Sequence, residues 1–527
     1  MNENNNWGLL QGNISVTKHF QHTRQNLPYP ILFVHGWLGD DNTWRGDYNS
    51  LNSIGFADSV LNKQYGWSDG GVLDFCLNYD DNYYYGELYN DVHDYTNPAN
   101  LKIGDYYFIN FDIDANGDWW SYTCQKCNDL SESNQSAIVK QGYAIKLAIN
   151  HILNLTGKNK VILAGHSMGG LACREYLQRW TQNDGLTHVA KLMTCATPHK
   201  GSDATQYGLG LGGGSVGASP DEKSEAVRDL RNSYYKSGTI GAYLFGGYES
   251  NATIQNNISI PYHNVDVNCN GSINENVYGL NYENYQDINY SCIIGTGDGG
   301  ACPGMGSWAS DGVVEDWSAN LYNGFLNSKP NYIDTFIVNP LQSYNCWQGD
   351  FLHSHLQKHE YGVYDMMALD EPDYFDATGY GHAYDIDFNK LYYGTISNKN
   401  QDPSNSNIDY DDYKFVLNTP SSLTFNLYNV NIANMEVQIY SSNQQAYSTV
   451  ITNSGRGNIS FTMPTMPAGS YYLEIRGVAN TTPATWYRAY GFQVTNPNST
   501  TDIIEETISF IDINIFPNPS NGNFNID

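Results

Sequence analysis

Ser167 sits in "VILAGHSMGG" (residues 161–170), an apolar run that ends abruptly in glycines. A serine hydroxyl is a poor nucleophile near neutral pH and needs a neighbouring base and an exposed, fixed position. A sharp strand-to-helix turn supplies that position. Glycines flank such a turn because a Cβ there would collide across it. The chain has a second G-x-S-x-G match, "GGSVG" at 213–217 around Ser215. The two differ in setting. "KVILA" (160–164) reads as a strand and "GGLACREYLQRW" (169–180) as a helix, so Ser167 is flanked as the chemistry requires. Ser215 follows a glycine-rich run with no apolar strand before it and reads as a loop residue.

Acyl transfer also needs donors for the oxyanion that develops in the transition state. The N–H of Met168, directly after the nucleophile, is one candidate. The other should come from the loop after an early strand, and "ILFVHGWLGDD" (31–41) makes it the N–H of Trp37, with His35 packing structurally. An orienting acid and then a histidine should follow the serine in the chain. Asp311 in "SDGVVEDWSA" is the predicted acid, with Asp298 and Asp316 as competitors. "FLHSHLQKHEYGVYDMM" (351–367) offers three histidines. His353 is favoured as base because its loop should begin just before a helix, His355 is the alternative, and His359 is expected within the helix. Metal binding by this cluster competes poorly with a chain that already carries the serine and the acid in order.

These residues need a scaffold. "PILFV" (30–34), "DYYFINFD" (105–112), "KVILA", "AKLMTCATP" (190–198), "SCIIGTG" (291–297) and "YIDTFIV" (332–338) read as strands. "SAIVKQGYAIKLAINHILNLTG" (136–157) has helical spacing, with Ser136 available as a cap and Gly157 as a stop. The β-α-β-α-β alternation predicts an α/β fold with a doubly wound, mostly parallel sheet over residues 1–385. Residues 201–290 read as an inserted cap or lid. From about 386 to 495, alternating strands with turn signals predict an all-β sandwich. "NPNSTTD" opens a linker (496–506), and residues 507–527 form a short tail.

Composition narrows the function. Hydrophobic residues make up 40% and aromatics 14%, which is globular. A net charge of −29 repels nucleic acid and anionic membranes, so a nucleic-acid-binding role is not expected. No stretch approaches the roughly 18 apolar residues of a transmembrane segment. "MNENNNWGLL" lacks the basic and apolar regions of a signal peptide, so the chain is either cytoplasmic or exported with its signal removed or not included. The nine cysteines include a Cys124-x-x-Cys127 pair, read as a local disulfide or staple rather than as a metal or redox site.

"FVHGWLG", "GHSMGGLACREYL", "TCATPHKGS" and "SDGVVEDWSA" together resemble the α/β-hydrolase lipases and esterases, especially bacterial triacylglycerol-lipase-like enzymes and GPI-inositol-deacylase-like relatives. The resemblance spans most of residues 28–370. It implies a Ser167–His353–Asp311 triad with Trp37 in the oxyanion hole, and it makes "AVRDLR" a lid-region helix. The Asn- and Tyr-rich insertion and the doubled histidine motif depart from the family. The segment from "GTISNKNQDPSNSN" onward is similar to bacterial pre-peptidase C-terminal domains. "IFPNPSNGNFNID" resembles the truncated start of a type IX secretion sorting domain in Bacteroidetes. That likeness implies export by that machinery to the surface or medium.

The expected function is a secreted serine hydrolase of lipid-like acyl esters that requires no cofactor, with a structural calcium as an optional brace. A surface peptidase or amidase with the same triad is the alternative, and a non-catalytic surface adhesin is a third reading.

Overall fold

The computed structural model describes residues 27–45, 56–63, 65–77, 92–113, 133–180, 188–202, 225–230, 280–296, 310–325, 328–330, 333–338, 352–358, 360–367, 383–395, 410–428, 435–452, 458–477 and 489–499. Eight strands form the first sheet: β1 (Ile31–Val34), β2 (Asp69–Leu77), β3 (Val92–Asp94), β4 (Tyr106–Asn110), β5 (Val161–His166), β6 (Val189–Cys195), β7 (Asn289–Gly295) and β8 (Asp334–Val338). Their spatial order is β3-β2-β4-β1-β5-β6-β7-β8. Every pairing is parallel except β2 with β3. This is the expected doubly wound sheet of an α/β-hydrolase fold, with an antiparallel edge, β2–β3, that the sequence reading did not separate out.

β1, β4, β5 and β6 are buried at every position, which explains why they read as unbroken apolar runs rather than alternating ones. One face of the sheet receives the helix Ile138–Thr156, whose Ile138, Ile145, Ile149 and Ile152 are fully buried. Each such side chain contributes roughly 1.5–3 kcal/mol by leaving water. Gly157 ends that helix in the left-handed conformation (φ 67°), as its sequence position suggested. Ser136 does not cap its start. The residue flanking the helix is Ala137, and the N–H of Ile138 donates instead to Asp229 Oδ2 at 3.0 Å.

Asp229 belongs to the helix Glu225–Leu230, one of the described parts of the expected cap. Ala226 and Leu230 of that helix are buried in the core of the sheet domain. The predicted helix at 169–180 is α-helical over Met168–Glu175 and widens into a π turn at Tyr176–Trp180. Ser215, Asp298, His359, Cys124 and Cys127 lie outside the described residues. Among the described cysteines, Cys173, Cys195 and Cys292 are buried free thiols, and Cys76 is buried too.

The remaining strands build two packed sheets. One has the order β10-β17-β12-β15, from Leu391–Thr395, Ala489–Thr495, Ser421–Tyr428 and Ile459–Met466. The other is β14-β13-β16-β11-β9, from Ile451–Thr452, Met435–Ser441, Gly469–Gly477, Tyr410–Leu417 and Tyr384–Asp385. β12 alternates buried and half-buried positions, as a strand with one solvated face should. Phe415 of one sheet meets Phe425 of the other at 5.8 Å between ring centroids, inside a shared apolar core.

β9 pairs with β11, so sandwich pairing begins at Tyr384. Tyr393 of β10 is buried against the first domain's core. At the other end, Asn389 Nδ2 donates to the carbonyls of Asn496 and Ser499, and the Asn496 N–H donates to Asn389 Oδ1. Residues 496–499 read from composition as linker, yet they are fastened to the sandwich.

Candidate active site

The four candidate groups come from loops that follow four strands of one parallel sheet: Trp37 after β1, Ser167 after β5, Asp311 after β7 and His353 after β8. Such loops at the carboxyl ends of the strands are where open α/β sheets place ligands.

Ser167 joins β5 directly to the helix beginning at Met168 and adopts φ 53°, ψ −128°, a region that side-chain-bearing residues seldom occupy. The turn is closed by a Ser167 N–H bond to the Cys195 carbonyl at 2.8 Å. Its tightness explains the glycines: a Cβ on Gly165 would stand 2.5 Å from the Gly170 Cα. The Met168 N–H lies in the first turn of the helix, where no intrahelical acceptor exists, at the positive end of the helix dipole.

The loop after β1 presses on the elbow from the other side. A Cβ on Gly36 would come within 2.6 Å of Ser167 Cβ and 3.2 Å of its Oγ, so only glycine lets this loop reach the serine. Trp37 follows, half-buried, and Leu38 takes a left-handed conformation (φ 57°). His35 is fully buried beneath the loop. Its Nδ1–H donates to the Gly36 carbonyl at 2.8 Å, and its Nε2 accepts the Phe111 N–H at 3.0 Å. Those two bonds fix one neutral tautomer, and burial pushes its pKa down. Asn134 Nδ2 holds the Gly39 carbonyl at 3.1 Å.

Asp311 is fully buried. Its Oδ1 accepts the N–H groups of Val313 and Val314 at 3.0 and 2.8 Å, and its Oδ2 lies 3.0 Å from His353 Nδ1. Nδ1 therefore carries the proton, which leaves Nε2 with the lone pair a base needs. The His353 N–H also donates to the Asp311 carbonyl at 3.0 Å. His353 lies in a 3-10 turn, Leu352–Ser354, ahead of the helix Glu360–Met367.

His355 is exposed. Its backbone takes part in the turns at 352–358, with its N–H on the Leu352 carbonyl and its own carbonyl accepting from Lys358. Asp316 opens the short helix Asp316–Ala319, and its Oδ1 accepts the adjacent Trp317 N–H. The structure thus brings Asp311 to His353 and the Gly36–Trp37 loop to Ser167, and leaves His355 and Asp316 in other roles. Among the described residues, no group of three His, Cys, Asp or Glu side chains is gathered for a metal.

Two contributors escaped the sequence reading. Gly295 ends β7 where a Cβ would stand 2.6 Å from Asp311 Cβ, so its absence makes room for the acid. His166, an "x" in the serine motif, sends Nε2 to the His353 carbonyl at 2.9 Å. A glycine ending a buried strand and a histidine in an apolar run were the only signals.

The fold is that of an α/β-hydrolase. A family model described as a PGAP1-like alpha/beta domain matches residues 28–209, and one for lecithin:cholesterol acyltransferase matches residues 136–292. No curated protein sequence matches the chain. Among solved structures, the propeptide form of lipase BlEst2 from Bacillus licheniformis is 14% identical, covering 89% of this chain and 74% of its own at TM-score 0.30. Phospholipase PlaB from Legionella pneumophila is 12% identical, covering 90% and 87% at TM-score 0.34. The pre-peptidase C-terminal domain of a Bacillus anthracis collagenase is 15% identical, covering 22% of this chain and 99% of its own at TM-score 0.17. Among the described residues, no helix is long and apolar enough to cross a membrane.

Proposed function

We propose that the protein is an exported carboxylic-ester hydrolase acting on lipid-like acyl esters through an acyl-enzyme on Ser167. The observation that carries this reading is the His353 Nδ1–Asp311 Oδ2 bond at 3.0 Å, behind a serine held at φ 53° on a strand-to-helix elbow. Ser167 Oγ attacks the acyl carbonyl and its proton passes to His353 Nε2, while Asp311 holds the imidazole by Nδ1–H. The oxyanion receives the N–H groups of Trp37 and Met168. The leaving alcohol takes the proton from His353. Water then repeats the sequence and releases the acid.

This chemistry requires no cofactor. The match to a lecithin:cholesterol acyltransferase family model supports a lipid acyl group over a peptide. The sorting-domain-like residues 515–527 support export through the type IX machinery. We assign residues 1–383 to the hydrolase domain and 384–495 to an accessory sandwich.

The test is fluorophosphonate labelling with peptide mapping, run beside p-nitrophenyl acyl esters of graded length and a peptide panel. Label on Ser167 and turnover of the esters are expected, both absent in Ser167→Ala. Hydrolysis of peptides alone would move the reading to a peptidase. Unchanged ester turnover in Ser167→Ala would end it.

A further inference from the structure

We infer that His166 is a positioning residue that fixes where the base stands relative to the nucleophile, an assignment that rests on the Ser167–His353–Asp311 reading above. His166 is the last residue of β5 and the covalent neighbour of Ser167. Its Nε2 lies 2.9 Å from the His353 carbonyl, an acceptor, so Nε2 carries the proton and donates. Its ring lies against the His353 imidazole, with centroids 4.9 Å apart. The backbone of His353 is therefore pinned on both sides, its N–H by the Asp311 carbonyl and its C=O by His166. Nucleophile and base are 186 residues apart in sequence, yet one side-chain bond and one peptide unit link them.

A histidine kept only to fill the core would be replaceable by any ring of its size. Here the residue type is explained by the donor, because His166 Nδ1 is buried with no partner among the described residues and its one hydrogen bond goes to the base. The ring is also neutral. Burial pushes its pKa well below the usual histidine value, outweighing the bond to the His353 carbonyl, which acts the other way. An imidazolium forming at His353 therefore meets an uncharged neighbour.

His166→Phe keeps a ring and removes the donor, whereas His166→Gln keeps an Nε2–H that can reach the carbonyl. In H166F, phosphonylation of Ser167 by a fluorophosphonate and kcat on a p-nitrophenyl acyl ester are expected to fall about 10–100-fold, with KM within about threefold. The acidic limb of the kcat/KM profile should move in H166F and return in H166Q, which should also recover most of the rate. A purely structural role would lower the folded fraction without moving that limb. His166→Asn, an amide too short to reach, substitutes for H166F should the latter not fold. Wild-type rate and pH profile in H166F, or an H166Q as slow as H166F, would overturn the assignment while leaving the triad reading intact. No label on wild-type Ser167 would overturn both.

Discussion

Asp311 and His353 are joined twice, side chain to side chain at 3.0 Å and backbone N–H to backbone carbonyl at 3.0 Å. The second bond means that the acid sets the position of the histidine's main chain as well as the orientation of its ring. Asp311→Asn retains the backbone bond and the shape but presents an amide to Nδ1, favouring the wrong tautomer. We expect kcat on acyl esters to drop by about 10³–10⁴-fold with little change in KM. A loss under about tenfold would remove Asp311 from the triad.

The two histidines of the doubled motif should separate cleanly. His353→Ala is expected to abolish fluorophosphonate labelling of Ser167, whereas the exposed His355→Ala should label within about twofold of wild type, as surface substitutions usually do. The reverse pattern would transfer the base to His355.

Gly295→Ala tests the room left for the acid. The added Cβ would stand 2.6 Å from Asp311 Cβ and 2.8 Å from Leu356 Cδ1, so Asp311 and the turn after His353 must give way together. Overpacking of this kind costs about 1–3 kcal/mol of stability, and the displaced acid should lower kcat at least about tenfold. Urea melts and ester kinetics measured on one preparation would show whether the two losses occur together.

Asp229 reaches across 91 residues to cap the helix Ile138–Thr156. Asp229→Ala should cost about 1 kcal/mol by denaturant midpoint, and Asp229→Asn, which keeps an acceptor, a fraction of that. Equal losses in the two variants would show that the cap is not what the carboxylate supplies.

Glu175 is fully buried beside Arg179, and burial raises its pKa to about 7. The folded state therefore holds a proton that the unfolded chain releases near pH 4.5, so stability is greatest below that pH and is lost as pH rises through 7. Replacement by Gln removes the titration. Relative to Glu175→Gln, wild type should lose about 1–3 kcal/mol between pH 5 and 8. A parallel pH dependence in the two proteins would contradict this assignment.

The parallel strands and the elbow could be read from sequence because their signals are local. The strands are short apolar runs bounded by turn residues, and Ser167 stands between one of them and a helical period. Asp311 and His353 were legible as residue types arriving in order after the serine. Their side-chain bond was expected from the triad, but the backbone bond beside it was not, because it closes over 42 residues of chain. The same reason hides the Asp229 cap. Ser136 satisfied the local capping rule, but a carboxylate from a distant helix took the position. His166 was invisible for a further reason, since the serine motif treats its position as free. Burial of that ring against His353 becomes apparent only when β5 and the loop after β8 share one edge of the sheet.

The strand order has a consequence for the chain as it emerges from the ribosome. β1, β4, β5 and β6 can assemble once residue 195 is available, which completes the elbow and its closing bond to Cys195. The proposed base is then still more than a hundred residues from being synthesised, and its loop is carried by β8, the last strand and the sheet's outer edge. A nascent or prematurely ended chain thus holds a serine without a proton acceptor. On the proposed reading the serine gains its base only when the edge strand docks, so the order of synthesis acts as a built-in delay on its reactivity.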